Sequence, residues 1–159
     1  FKDQSKAKQD SIKNFSEKIK VANKSKISDD FLIIARIESL ILGKSIADAL
    51  KRANAYSKAG ADAILIHSKD LNPQSIFKFS KKFSKSKFYK PLVAVPSTYS
   101  KTREIELIKN GFKIVIYANH LLRASYKSME TAAKIILKNK RTYEMEDKIT
   151  SIKDILTLI

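Results

Sequence analysis

The stretch Phe31-Leu32-Ile33-Ile34-Ala35-Arg36-Ile37-Glu38-Ser39 decides how the rest of the chain is read. An unbroken apolar run of this length predicts a strand covered on both faces, as in parallel sheets. It ends in an arginine and a carboxylate, at the strand terminus where parallel α/β architectures place ligand sites. A guanidinium there offers a planar fork of donors suited to a carboxylate or a phosphoryl group. The other reading is that Arg36 and Glu38 only pair with each other or with a neighbouring strand. This stretch alone leaves both open.

Outward from it, strands alternate with helices. Upstream, Ile12, Phe15, Ile19 and Ala22 recur at helical spacing, giving a helix over 10–24 with Asp10 or Ser11 as its cap. Downstream, Ser45 caps a helix over 46–59 with Asp48 three residues on, and Gly60 closes it. A second strand, 61–68, ends in His67-Ser68. Asn72-Pro73 opens a helix with Ile76, Phe79 and Phe83 inward. The third strand is 92–98, with Pro96 near its end. A helix over 101–110 closes on Gly111, and the fourth strand is 113–119. A long helix over 121–139 and a tail follow; residues 143–151 are polar, and Ile152, Ile155, Leu156 and Ile159 form a last short helix.

The repeat of about 30 residues is that of βα units, so the class is α/β with a parallel sheet. A complete (β/α)8 barrel takes roughly 250 residues, against 159 here. Four units therefore make either a small doubly wound sheet or half a barrel. A doubly wound sheet calls for a phosphate loop, and no Gly-rich turn is present, which favours the half-barrel.

Composition narrows the function. With 43% hydrophobic residues the chain can build one core, and with no Cys it has neither disulfides nor thiolate chemistry. No apolar run reaches the roughly 20 residues of a membrane helix, and a soluble cytoplasmic protein is expected. The net charge of +16 suggests nucleic acid, yet it comes from 27 Lys and five Arg scattered among Ser, Asn and Ile. Specific readers of nucleic acid lean on Arg and interleaved aromatics, so no nucleic-acid partner is expected.

Four stretches then carry a resemblance: residues 31–39 (FLIIARIES), 49–68 (ALKRANAYSKAGADAILIHS), 118–125 (ANHLLRAS) and 146–155 (EDKITSIKDI). In order and spacing they resemble the phosphoenolpyruvate phosphomutase family, within the isocitrate lyase and phosphoenolpyruvate mutase superfamily. The lyases of that superfamily resemble the Ala-Arg and Ala-Gly-Ala-Asp parts too. Ile37-Glu38-Ser39 and Ile66-His67-Ser68 point to the phosphonate branch.

The resemblance implies the C-terminal half of a (β/α)8 TIM-type barrel: four parallel strands alternating with helices, the last barrel helix exchanged between subunits of a dimer or tetramer. Residues 1–159 are then one partial domain: 1–9 the trailing part of a gating loop, 10–142 the βα units, 143–159 a helical tail. It implies interconversion of phosphoenolpyruvate and phosphonopyruvate with Mg2+. Of the family's site it places Arg36 and His67 here as ligands of the phosphoryl group, with Glu38 orienting Arg36. The nucleophilic aspartate, the Mg2+ carboxylates and the rest of the gating loop are expected upstream of Phe1. No catalytic or metal role passes to Asp29, Asp30, Asp48 or Asp62, and this stretch alone is expected to be inactive. Asn119, His120 and Arg123 are expected at a helix start or subunit contact. Two alternatives stand beside this: a phosphonopyruvate hydrolase on the same scaffold, and a non-catalytic half-barrel assembly module.

Overall fold

Ser45 and Gly60 mark the two ends of one helix. The Ser45 hydroxyl accepts from the Asp48 N–H at 3.1 Å, starting a helix that ends where Gly60 takes a φ of +110°. A Cβ at Gly60 would meet the Asn23 side chain at 3.0 Å. The computed structural model describes residues 8–158. In order they form α1 (Ile12–Lys24), β1 (Ile34–Ile37), α2 (Ile46–Lys58), β2 (Ala63–Ile66), α3 (Gln74–Phe83), β3 (Leu92–Ala94), α4 (Glu104–Lys109), β4 (Phe112–Val115) and α5 (His120–Asn139). A 3-10 helix (Tyr143–Lys148) and α6 (Ile152–Leu156) follow. The expected gating-loop residues 1–7, and Ile159, lie outside the described residues. Between Ala118 and Asn119 the chain divides into two compact units.

In the first unit the four strands are parallel and ordered β1-β2-β3-β4. A sheet that steps always to the next neighbour through right-handed crossovers carries all its helices on one side; a doubly wound sheet reverses direction and covers both. The packing agrees. Ala35, Ile37, Ile64, Ile66, Leu92 and Ala94 share one core with Ala49, Ala53 and Tyr56 of α2, Ile76, Phe79 and Phe83 of α3, and Leu107 of α4. On the other face Ala63, Leu65, Val93 and Val95 form a separate small cluster with Ile114. This is one part of a TIM-type barrel, with the helices outside and the second face turned to the interior.

Several boundaries differ from the sequence reading. The 31–39 run is not a strand covered on both faces. Only Ile34–Ile37 joins the ladder; Ala35 and Ile37 are buried while Ile34 and Arg36 are exposed. β1 is an outer strand of the described sheet, so its interior side has only the β2 neighbour for cover. β4 starts one residue early and is shorter than 113–119. A register irregularity pairs Leu92 with Phe112 but Val93 with Ile114, which pushes Lys113 out to solvent. α4 is shorter than 101–110 because the Thr102 N–H turns back to the Tyr99 carbonyl and the Glu106 carboxylate caps the Arg103 N–H.

At the strand starts, Asp62 accepts from the Ile33 N–H at 2.8 Å and from Lys26 Nζ at 2.5 Å. Burial pushes its carboxyl pKa up, but these two partners outweigh it and hold it below the usual value. The role of Asp62 is a clamp between β1 and β2.

In the second unit α5 runs 20 residues and stops at Lys140, whose backbone is left-handed. It has no buried residue and exposes Leu121, Leu122, Tyr126, Met129, Ile136 and Leu137. The 3-10 helix, with Met145 buried, occupies part of the stretch read as merely polar.

Candidate functional site

The last residues of β1 and β2 obey the two-residue period of a strand even after the ladder stops. Ile37 and Ile66 face the helices, so Glu38 and His67 turn to the interior side and Ser39 and Ser68 turn back. The pairing Arg36↔Leu65 and Ile37↔Ile66 brings Glu38 level with His67. Arg36 lies on the same interior side, one pleat below.

Each serine is built into the scaffold. Ser39 is fully buried; its hydroxyl donates to Asp48 Oδ2 at 2.7 Å and accepts from Gln9 Nε2 at 3.3 Å. Asp48 also accepts from Arg52 Nε at 3.1 Å, and Arg52 Nη1 reaches the Asp10 carbonyl at 2.8 Å and the Tyr56 hydroxyl at 2.9 Å. Burial raises the Asp48 pKa, but Ser39 and Arg52 together hold it below the usual carboxylate value. Ser68 accepts from the Ser75 hydroxyl and the Asp70 N–H, and its carbonyl takes the Thr98 hydroxyl at 2.7 Å. Both strand ends are thus held from behind by buried polar contacts, while Arg36, Glu38 and His67 face the open side.

Arg36 Nε donates to the Glu38 carboxylate. This is the pairing the sequence left open, and it engages only one edge of the guanidinium. Half the side chain remains exposed, and its two terminal amino groups have no hydrogen bond among the described residues. His67 is half-buried, and its Nδ1 is shut off from solvent without a partner among the described residues. Burial lowers its pKa and the Arg36 charge lowers it further, against a smaller opposite pull from Glu38. Both effects favour the neutral imidazole, a single N–H donor beside a fixed cation. Such a pair recognises an anion carrying several oxygen acceptors.

The sequence reading did not name Tyr99. It is fully buried in the turn after β3, with its ring centroid 6.3 Å from that of His67 and the planes tilted by 53°. Burial pushes its hydroxyl pKa up to about 12, opposed by the Val95 backbone. A lone aromatic in the polar run Ser97-Thr98-Tyr99-Ser100, just past a strand's C-terminal end, was the available signal.

Other candidates fall elsewhere. Asp29 and Asp30 are exposed before β1, at the opposite end of the strand, and Asp48 and Asp62 are engaged in the contacts above. Asn119 caps α5, its carbonyl taking the Arg123 N–H at 3.0 Å. Among the described residues no three His, Asp or Glu side chains converge to hold a metal ion. Glu38, the acid at the site, is already paired with Arg36. These residues do not fit a Mg2+ centre by themselves.

Comparison with known proteins identifies the family. The family model described as phosphoenolpyruvate phosphomutase matches residues 2–137. The phosphoenolpyruvate phosphomutase of Tetrahymena pyriformis is 36% identical over 92% of this chain and 48% of its own length. The crystal structure of phosphoenolpyruvate phosphomutase from Streptomyces platensis subsp. rosaceus superposes with a TM-score of 0.88 at 37% identity, covering 97% of this chain and 54% of that one. A phosphonopyruvate hydrolase in complex with oxalate and Mg2+ superposes with a TM-score of 0.86 at 34% identity, covering 98% and 54%. The chain spans about half the length of these relatives. With the family model matched over residues 2–137 and four parallel strands in the first unit, the chain belongs to the phosphoenolpyruvate phosphomutase family.

Proposed function

We propose that this chain supplies the phosphoryl-recognition part of an enzyme interconverting phosphoenolpyruvate and phosphonopyruvate. In that reaction the bond from phosphorus to the enol oxygen breaks and a bond from phosphorus to carbon forms. The observation that carries the proposal is the meeting of Arg36, whose two amino groups are unengaged among the described residues, and His67, whose burial favours the neutral imidazole, at neighbouring strand ends on the interior face. Phosphoryl transfer depends mostly on positioning and charge stabilisation, which a fixed guanidinium and an imidazole donor provide. Glu38 holds Arg36 in place through Nε and leaves the amino groups for phosphoryl oxygens. Mg2+, where it takes part, neutralises charge on the transferring group; its ligands and the nucleophile are not among the residues assigned here.

Hydrolysis of phosphonopyruvate is the second reading, favoured by a hydrolase structure that superposes almost as well as the mutase. One experiment separates the readings. The protein at its full natural length is given phosphonopyruvate and Mg2+ and followed by phosphorus NMR. Phosphoenolpyruvate is the expected product; inorganic phosphate alone would replace the mutase by the hydrolase. No turnover of either compound would leave an assembly role. The 159-residue chain tested alone is expected to give no turnover, since among the described residues no three acidic or histidine side chains converge to hold a metal ion.

Assembly rests on α5. Leu121, Leu122, Met129 and Leu137 are each more than three-fifths exposed, an apolar face of the kind that seeks a partner. A dimer or tetramer in which this helix contacts a second copy is the expected state. Light scattering that finds a stable monomer at micromolar concentration would refute it.

A further inference from the structure

The candidate site has a wall on each side of His67. On one side are Arg36 and Glu38 from β1; on the other is the ring of Tyr99, from the turn between β3 and α4. That turn is not free to move. Pro96 is buried inside a tight turn closed by the Ser97 N–H on the Val95 carbonyl at 2.8 Å. Thr98 ties it to β2 through the Ser68 carbonyl, the residue next to His67. The Thr102 N–H closes onto the Tyr99 carbonyl at 3.0 Å. Tyr99 itself is fully buried and packs in the same core as Ile66, Leu92, Ala94 and Leu107. The two rings are within the separation at which aromatic pairs interact, with their planes tilted and not stacked. Of the two imidazole nitrogens, Nδ1 is the one shut off from solvent, which leaves Nε2 as the outward atom.

We infer that Tyr99 is the positioning residue for His67, its ring holding the imidazole in the orientation that turns Nε2 to the open face beside Arg36. The inference rests on the proposed role of His67 as a phosphoryl ligand. It assigns to the β3–α4 turn the task of aiming that ligand. The ring performs it, because it is the ring that meets the imidazole, while the hydroxyl is turned to the Val95 backbone. Among the described residues the charged and titratable groups facing His67 are Arg36, Glu38 and Tyr99, so a change at Tyr99 leaves the Arg36 and Glu38 charges in place.

The test uses the protein at its full natural length with nitrogen-15 in its histidine rings, the His67 signals being those lost in His67→Gln. In the wild type, nuclear Overhauser contacts are expected between the Tyr99 ring protons and the carbon-bound protons of His67. The His67 titration midpoint is expected below that of an ordinary histidine. Tyr99→Phe keeps the ring: the His67 spectrum is unchanged, kcat/KM stays within about twofold, and the protein melts no lower. Tyr99→Leu keeps apolar bulk but removes the ring. It is expected to raise the midpoint towards the ordinary value of about 6.5, mix the two neutral tautomers, and lower kcat about tenfold while the melt stays cooperative. A folded leucine variant with an unchanged His67 spectrum and unchanged kcat overturns the inference. A phenylalanine variant that loses tenfold would pass the role to the hydroxyl and also overturns it. If the leucine variant does not fold, absence of the ring-to-ring contacts in the wild type still does so. None of the NMR readouts requires turnover, so a protein that converts neither compound defeats the proposed function while leaving this inference to be decided.

Discussion

Replacement of Arg36 by lysine is expected to lower kcat/KM by about 10- to 100-fold although the formal charge is kept. The guanidinium donates to Glu38 through Nε, and the proposed role asks its terminal amino groups to hold the ligand at the same time. An ammonium is a single point of donation on a flexible stem and cannot hold both in one plane. Loss of one hydrogen bond to a charged group costs about 1.5–3 kcal/mol, and each 1.4 kcal/mol is about tenfold in rate. The full-length protein is assayed with both substrates, and the lysine variant's melting curve shows that the fold is kept. An unchanged kcat/KM would remove Arg36 from the site. Because its side chain is half exposed at a strand end, a stability loss is not expected to confuse the reading.

The second large effect is structural. Arg52→Met should destabilise the protein by about 3 kcal/mol, the low end for removing one partner of a buried ion pair. The Arg52 side chain is only 7% exposed and holds Asp48, the Asp10 carbonyl and the Tyr56 hydroxyl. Methionine fills most of the volume but leaves the Asp48 carboxylate with the Ser39 hydroxyl and the more distant charge of Lys44. The measurement is urea unfolding with an unchanged slope and a lower midpoint. The pH dependence should change with it. Asp48 is held below its ordinary value of 3.8 in the fold, so in acid the unfolded chain binds the extra proton. Its contribution is complete above that value and is lost as pH falls through the lower folded value. Without Arg52 the depression shrinks, and this part of the acid sensitivity should flatten. A variant with the wild-type midpoint would show that the network carries no net stability.

What the sequence disclosed and what it withheld divide along a physical line. Local chemistry was legible: the Ser45 cap, the turn at Gly60, the βα alternation, and Arg36, Glu38 and His67 at strand ends each depend on a few adjacent residues. The exposure of Ile34 was not, because an apolar run reads the same whether or not something covers its second face. Arg52 sits one turn from Tyr56 on a helix whose apolar stripe was plain. Its burial depends on the Asp10 carbonyl, 42 residues away. Tyr99 could be seen as an aromatic in a polar turn, but its meeting with His67 follows only from the pairing of β2 with β3. The choice between a half-barrel and a doubly wound sheet rested, in the sequence, on a missing glycine loop. In the structure it rests on strand order and on which face the helices cover.

Glu38-Ser39 and His67-Ser68 share an arrangement with a bearing on how this protein can change over time. In each pair the first residue turns to the interior side, where the proposed ligand would lie, and the second is anchored into the supporting helices, because adjacent residues of an extended chain point opposite ways. Loss or gain of a single residue just before either pair would therefore exchange the two assignments. A serine would be offered to the substrate, and a charged or imidazole side chain would be driven into an apolar interior. Substitutions there can be graded, whereas length changes are all or none. Tolerated insertions are expected a few positions later, around Gly43 or Asn72, where exposed turns can absorb extra chain. Lineages of this protein should accordingly diverge by loop length after the turns and by residue replacement before them.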